Sequence, residues 1–184
     1  LPCIPYDQCV IYHIHTRGFT KHASSGLEGD IRGTFKGVAE KIPYLKDLGI
    51  TTVEMMPPVE FEELIIPERV DGSPFAAEEP DGKLNYWGYT RGYYFAPKCA
   101  YSSGPVRQPE GEFKDMVKAL HKAGLELVLE LFFDGKEAPS YVLDVVRFWA
   151  QEYHVDGVRL VGYAPVKLLG EDPYLSRLKL LAPG

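Results

Sequence analysis

Strand-like and helix-like segments alternate along most of this chain, and that alternation limits its possible folds more than any other feature. Runs of β-branched and aliphatic residues predict four buried strands and a weaker fifth, at residues 9–15, 50–55, 125–133, 155–161 and 178–181. Apolar residues at helical spacing predict intervening helices at 34–48, 112–123 and 140–153, with a weaker pattern at 164–177. Strands separated by helices form a parallel sheet with right-handed crossovers, so the fold class is α/β.

Local signals divide this pattern further. Thr34 has the residue type and position of a helix N-cap, and Pro43 predicts a kink or short break in the helix that follows. A long proline-rich segment, residues 57–110, follows the second strand and predicts an irregular insertion of functional importance. Its aromatic centre, Asn85-Tyr-Trp-Gly-Tyr89, indicates that the insertion is ordered.

Composition narrows the functional classes. The 184 residues are 45% hydrophobic and 25% charged, which is typical of one globular domain spanning 1–184 and argues against disorder. A net charge of −6 disfavours a nucleic-acid partner, and no apolar stretch approaches the ~20 residues of a membrane span. No phosphate-binding glycine motif follows a strand, and we expect neither a cofactor nor a metal.

The cysteines indicate the cellular compartment of the protein, and the first residues indicate whether the chain is part of a longer polypeptide. Cys3, Cys9 and Cys99 show neither zinc-ligand nor disulfide-framework spacing, which fits reduced thiols in the cytoplasm. The opening Leu-Pro-Cys-Ile-Pro has no initiator methionine and no signal peptide, and it predicts a segment of a longer polypeptide.

Four motifs in order carry a resemblance to a known family. They are Val10-Ile-Tyr-His-Ile-His-Thr-Arg-Gly-Phe-Thr20, Asn85-Tyr-Trp-Gly-Tyr89 with Tyr94-Phe-Ala-Pro97, Glu112-Phe-Lys-Asp-Met-Val117, and Tyr153-His-Val-Asp-Gly-Val-Arg159. The chain resembles the α-amylase superfamily (glycoside hydrolase family 13), in its isoamylase, pullulanase and glycogen-debranching branch. The resemblance implies a partial (β/α)8 barrel of about five parallel strands, with a long insertion after the second. It also implies retaining hydrolysis of α-glucosidic bonds by two carboxyl groups at the C-terminal ends of the strands.

The aromatic motif and the third strand match this family unevenly. Tyr89 matches the aromatic residue that stacks under glucose at the cleavage site, and Trp87 flanks it. The family's third strand usually ends Asp-Val-Val-Phe-Asn-His, whereas this one runs from Glu130 to Asp134 and Gly135. Gly135 therefore lacks the imidazole that hydrogen-bonds the sugar.

The fourth strand differs from the usual family sequence at the position of the catalytic nucleophile. Its usual ending, Asp-Gly-Phe-Arg-Phe-Asp, reads here Asp156-Gly-Val-Arg-Leu-Val161. Arg159 matches, but the nucleophile position holds Val161, whose isopropyl group cannot form a glycosyl ester. Asp156 lies at the opposite end of the strand and cannot substitute.

These departures predict a degenerate site. Only about four residues, 136–139, separate the third strand from the next helix, where debranching enzymes carry a long excursion. We expect a catalytically inactive α-glucan-acting domain that either keeps weak glucan contact or serves as a scaffold. The substrate-binding positions would be Tyr89, Trp87, Arg159 and Glu130.

Two other functions stay open: an active debranching hydrolase completed by further strands, and a purely structural or interaction domain. A weak α-glucan ligand, the remainder of its own polypeptide, or a second copy at an open sheet edge are the expected partners.

Three side chains have alternative roles. Without an aspartate beside it, Arg159 is predicted to pair with Glu130 on the neighbouring strand. His13 and His15 lie two residues apart on the first strand, where they would form either a metal pair or, as we favour, histidines bonded to core and loop groups.

Overall fold

The computed structural model describes residues 1–64 and 84–182, and in these ranges a five-stranded parallel sheet dominates the fold. The strands, in chain order, are β1 Ile11–Ile14, β2 Thr52–Met55, β3 Val59–Phe61, β4 Gly92–Pro97, β5 Glu126–Phe133, β6 Gly157–Gly162 and β7 Lys179–Leu181. The helices are α1 Thr16–Thr20, α2 Phe35–Glu40, α3 Ile42–Asp47, α4 Pro109–Lys122, α5 Pro139–Glu152 and α6 Val166–Gly170. The main sheet has the order β1-β2-β5-β6-β7, and each neighbouring pair is parallel. The predicted α/β class with five parallel strands is confirmed.

One face of this sheet is covered by helices. Side chains alternate along each strand, and those on this face are apolar and almost fully buried, as at Val53, Leu129 and Leu160. They belong to a single core with α2, α4 and α5, whose largest buried side chain is Trp149. The Trp149 indole donates to the Tyr94 carbonyl oxygen at 2.8 Å, which ties this core to β4.

The other face carries two polar layers. At the N-terminal ends of the strands, Lys179 Nζ donates to Glu126 Oε1 at 2.7 Å, and the Ile4 amide donates to the same oxygen at 2.8 Å. A second layer follows, in which Glu54, Glu130 and Arg159 project from the same face of β2, β5 and β6; Glu130 is opposite Arg159, and Glu54 is one side-chain pair earlier, opposite Val128. Charged side chains therefore occupy two levels of this face, and the apolar Val128 and Phe132 occupy the other two β5 positions on it.

The first long helix is divided as the sequence predicts. The Thr34 hydroxyl accepts from the Gly37 amide at 3.1 Å, which confirms the N-cap. The helical segment breaks at Lys41 into α2 and α3, and Pro43 occupies the first turn of α3, where its missing N–H costs no hydrogen bond.

The insertion after β2 is more regular than the sequence indicates. Within 57–110, predicted as irregular, β3 and β4 form an antiparallel two-stranded sheet. The prediction was wrong for these segments because short, proline-flanked strands paired across more than thirty residues leave no local signal. Lys98 stabilises this two-stranded sheet, the hairpin of β3 and β4. Its buried ammonium contacts Glu60 Oε1 and the Phe61 carbonyl oxygen, each at 3.0 Å. Residues 65–83 of this segment lie outside the described residues.

In the two described ranges, no helix combines the length and apolar content needed for a membrane crossing.

Candidate active site

The second polar layer lies near the middle of the strands, on the approach to their C-terminal ends, where ligands of parallel barrels bind. Glu130 on β5 is directly opposite Arg159 on β6 in the strand register. Glu54 and Glu130 are only 3% and 4% exposed. Buried carboxylates must be paired, so the partners of these two groups define the site.

Arg159 is bound mainly by Glu54, not by the predicted partner Glu130. Its Nε and Nη2 donate to the two carboxylate oxygens of Glu54 at 2.6 and 2.9 Å, whereas Glu130 Oε1 lies 3.9 Å from Nε. The prediction missed Glu54 because a guanidinium reaches beyond its adjacent strand when two donors can meet one carboxylate in parallel. Hydrogen bonding to Glu54 raises the pKa of Arg159 above its ordinary value, with Glu130 adding to the effect and burial opposing it.

Glu130 is instead held by Tyr89 and His13. The Tyr89 hydroxyl donates to Glu130 Oε2 at 2.6 Å, and His13 Nε2 lies 3.3 Å from Glu130 Oε1. Burial, followed by the bond to Glu130, raises the pKa of the Tyr89 hydroxyl well above its ordinary value, so the phenol stays protonated. The insertion and the sheet therefore meet at Glu130, and the structure brings together Tyr89, Arg159 and Glu130 of the sequence-predicted set.

Val161 lies one side-chain pair beyond Arg159 on the same face of β6. It is half-buried and opposite Phe132 of β5 in the register, so two apolar side chains occupy this level of the sheet. The next residue, Gly162, has φ +81°, and a Cβ there would lie 2.3 Å from the Phe133 carbonyl oxygen. The backbone turns away directly after Val161, and β6 offers no carboxylate at its C-terminal end.

The turn after β5 has a shape suited to glycine. Gly135 has φ +88°, a conformation that strains any residue with a side chain, including the histidine usual in the family. Asp134 accepts from the Lys136 amide at 2.9 Å and closes this turn. That bond, with the Lys136 charge and against some desolvation, lowers the pKa of Asp134. Because α5 begins at Pro139, the short connection after the third parallel strand is confirmed.

His15 anchors the aromatic segment that carries Trp87 and Tyr89. Its Nδ1 accepts from the Gly18 amide at 3.0 Å, so the ring proton lies on Nε2, which donates to the Tyr86 carbonyl oxygen at 2.7 Å. The imidazole also stacks on the Tyr86 ring with centroids 4.1 Å apart. Trp87 is 54% exposed beside this stack and makes no contact with the Glu54–Glu130 layer among the described hydrogen bonds. His15 is thus a loop-bonded histidine rather than one of a metal pair.

Glu54 is the site residue that sequence reasoning missed. The strand Thr52–Met55 is buried along its whole length, and a single carboxylate within such a strand requires a cation. Its alternation with the helix-facing Val53 and Met55 would have placed it on the same face as Arg159.

The three acceptor side chains could in principle approach one ion. Ligand atoms of His13, Glu54 and Glu130 lie within 4.8 Å of one another, the one such group in the described ranges. Arg159 already neutralises Glu54 through both oxygens, however, so a divalent cation that used Glu54 as a ligand would have to displace a guanidinium.

The chain has sequence relatives among known proteins. No family model matches the chain. Isoamylase 3 of rice is 30% identical over 99% of the chain, and isoamylase 1 of Arabidopsis thaliana is 32% identical over 85%. A glycogen debranching enzyme of Enterobacter is 29% identical over 98%.

The chain is a homologue of the debranching enzymes of the α-amylase superfamily. It spans 31%, 25% and 35% of the lengths of these three relatives, or about a third at most.

Solved structures agree on the fold. The catalytic module of the pneumococcal glycogen-degrading protein SpuA covers 99% of the chain with a TM-score of 0.71 at 21% identity, and the chain covers 32% of it. A pullulanase from Paenibacillus barengoltzii, solved with maltohexaose and α-cyclodextrin, covers 86% with a TM-score of 0.62 at 22% identity, and the chain covers 30% of it. The five parallel strands thus have the arrangement of part of a (β/α)8 barrel, as the sequence resemblance implies.

Proposed function

We propose that the chain is an α-glucan-contacting domain of debranching-enzyme type that does not hydrolyse its glucan. The observation that carries the proposal is Val161. Retaining hydrolysis needs a carboxylate that attacks the anomeric carbon and a second carboxyl group that protonates the leaving oxygen. At the position that matches the family's nucleophile, β6 presents an isopropyl group packed level with Phe132.

The two buried glutamates are poor replacements for the missing carboxylate. Their nearest oxygens lie within 4.8 Å of each other, close to the ~5 Å separation of retaining pairs. Both oxygens of Glu54 accept from Arg159, and Glu130 accepts from Tyr89, so each is engaged and almost wholly buried. Their closeness nevertheless supports one second candidate, a hydrolase that uses Glu130, and the assay below separates the two.

The first prediction concerns turnover. The purified chain should release no reducing sugar from pullulan, glycogen or maltooligosaccharides, because losing the nucleophile typically removes several orders of magnitude of rate. A reducing-end assay on the wild type and on Glu130→Gln checks this. Turnover in the wild type that disappears in Glu130→Gln would contradict the proposal and support the second candidate. Turnover equal in both would indicate a contaminating hydrolase.

Residual glucan contact is supported by the aromatic segment. Trp87 is exposed, and Tyr89 is held at the C-terminal end of the sheet by its bond to Glu130. Flat aromatic rings offer an apolar face to a pyranose. The structural relatives include a pullulanase solved with maltohexaose and another solved with maltotetraose. The short connection after β5 leaves one side of this region without a wall, so little of the binding surface is preorganised.

The second prediction follows from the presence of the aromatic rings and the low preorganisation of the surface around them. Maltoheptaose should bind with a Kd no tighter than about millimolar, worth roughly 4 kcal/mol. Calorimetric titration should show saturation in the wild type, and Tyr89→Ala and Trp87→Ala should each abolish it. Tyr89→Phe keeps the ring while losing the bond to Glu130, and should retain most of the affinity.

Tyr174→Ala is the matched control, since Tyr174 is also exposed but precedes β7, at the opposite end of the strands. Equal loss in Tyr174→Ala, or binding that survives both site variants, would place the sugar elsewhere. The absence of any binding would refute glucan contact while leaving the prediction on turnover intact.

A further inference from the structure

A basic cleft separate from the glutamate layer lies beside α1, at the end of β3 and in front of α4. Its volume is about 650 Å³, within the range of small-molecule sites. Its charged lining residues are Arg17, Lys21, Asp30, Arg32, Glu63 and Arg107. Four cations face two carboxylates in this lining. The cleft is therefore locally positive, although the chain as a whole has a net charge of −6.

One of the two carboxylates is already neutralised. Glu63 Oε1 lies 3.0 Å from Arg17 Nη2 and 3.3 Å from the buried Lys98 ammonium. Burial alone would raise the pKa of Glu63, but Lys98 and Arg17 together lower it. Glu63 therefore stays ionised without offsetting the other cations of the cleft.

The positive charges of Lys21, Arg32 and Arg107 are not neutralised by a carboxylate of the described residues. Within residues 1–64 and 84–182, no carboxylate lies within 4.0 Å of a charged nitrogen of Lys21, Arg32 or Arg107. Arg107 is fixed by donation from Nη1 to the Cys99 carbonyl oxygen at 3.0 Å and to the Ser102 carbonyl oxygen at 3.4 Å, and among the described residues its Nε and Nη2 donate to no other group. The Nε of Arg32 is buried and has no hydrogen-bond partner in the same ranges. An unpaired buried donor is costly, so the Arg32 side chain would be stabilised by a conformation that brings its guanidinium to an acceptor.

The backbone permits a ligand to come close. The aliphatic stems of Arg17 and Lys21, one helical turn apart, both pack within 3.2 Å of the position that a Cβ on Gly33 would take. Gly33 has φ +77°, and its lack of a side chain lets the two cations lie side by side. Gly29 and Gly104 also line the cleft, and no atom beyond its chain neighbours lies within 4 Å of the position that a Cβ on Gly104 would take.

We propose that this basic cleft binds a small phosphomonoester, with the phosphoryl group among Arg17, Lys21, Arg32 and Arg107. The excess of two positive charges matches the charge of a phosphoryl dianion. Planar guanidinium groups meet phosphate oxygens in pairs, and Arg is favoured over Lys where such recognition is needed. A phosphate ion alone would fill only part of 650 Å³, so the cleft has room for the organic part of the ester. The proposal does not depend on glucan contact at Trp87 and Tyr89.

Calorimetric titration of the chain at low salt and pH 8 tests this, with glucose 6-phosphate, inorganic phosphate and glucose as probes. Glucose 6-phosphate should bind at least as tightly as inorganic phosphate, and glucose should not bind. Arg32→Gln and Arg107→Gln should each weaken glucose 6-phosphate binding by about tenfold or more, as expected when a charge-assisted hydrogen bond is lost. Two variants are needed because Arg32 is partly buried, and thermal melts report whether each is folded.

Lys118→Gln is the matched control, since Lys118 is an exposed cation on α4 that faces away from the cleft lining. It should leave binding unchanged. Weakening in Lys118→Gln equal to that in the arginine variants would show nonspecific charge attraction and overturn the site. Absence of glucose 6-phosphate binding to the folded wild type, or binding of inorganic phosphate alone, would overturn the phosphomonoester assignment.

Discussion

At the scale of single residues, Arg159 shows how a family side chain changes its role when its neighbour is lost. In a working site the guanidinium would hold an aspartate nucleophile ionised, but here position 161 is apolar. The guanidinium instead binds both oxygens of Glu54 and approaches Glu130 at 3.9 Å. Two buried carboxylates depend on one cation, so its removal leaves uncompensated charge in the sheet.

A third prediction follows from this dependence. Arg159→Met should lower the free energy of unfolding by about 2–3 kcal/mol, below the 3–5 kcal/mol of fully buried pairs because the guanidinium is 37% exposed. Urea unfolding of the single variants and of the double variant with Glu54→Gln measures the coupling between the two groups. The double variant should recover part of the loss. A double variant that is less stable than Arg159→Met by the full cost of Glu54→Gln would contradict the assigned pairing.

At the scale of elements, His15 joins the end of β1 and the start of α1 to the aromatic segment. The ring caps α1 through the Gly18 amide and binds the Tyr86 carbonyl oxygen. Burial lowers the pKa of His15 below its ordinary value, and Arg17 adds to this against the opposing effect of the Tyr86 bond. The folded state therefore favours the neutral ring, whose Nδ1 must accept.

The fourth prediction is a pH dependence with a definite sign. A lowered pKa in the folded state contributes stability that is present above the unfolded value, about 6.5, and is lost as the pH falls. The fall in unfolding free energy from pH 7.5 to 5.5 should therefore be smaller in His15→Asn, which keeps a capping acceptor but does not titrate. Chemical denaturation followed by the fluorescence of the two tryptophans, one of them the buried Trp149, checks it. His22→Asn, at an exposed N-cap, is the control, and an equal change in both variants would refute the role of His15.

At the scale of the whole molecule, the order β1-β2-β5-β6-β7 leaves β1 and β7 at the edges of the sheet in the described part of the chain. Exposed apolar residues lie at the start of β1: Ile11 is 42% exposed, and Val10, directly before the strand, is 52% exposed. Unpaired backbone groups beside apolar side chains invite pairing with another strand.

The fifth prediction concerns this edge. The 184-residue chain should self-associate in a concentration-dependent way, and Ile11→Lys should shift it towards monomer because a charged edge resists strand addition. Light scattering after size exclusion gives the mass of each. Tyr44→Lys, which also replaces an exposed apolar side chain but lies on α3, is the control and should not change the association. A monomeric wild type at all concentrations would show that the edge is protected.

The sequence by itself determined the elements that depend on local chemistry. Hydrophobic periodicity located the five parallel strands and the main helices to within about three residues, and Thr34 and Pro43 behave as their residue types require. The motifs also identified the relatives and the apolar residue at position 161. The tertiary structure alone decided which groups meet: the hairpin of β3 and β4, the binding of Arg159 by Glu54, and the basic cleft drawn from four separate segments. The paired strands β3 and β4 are more than 30 positions apart, and Arg159 and Glu54 are 105 positions apart. Which residues meet depends on the order of the strands in the sheet and on how far each side chain extends. Neither can be read from the local sequence pattern.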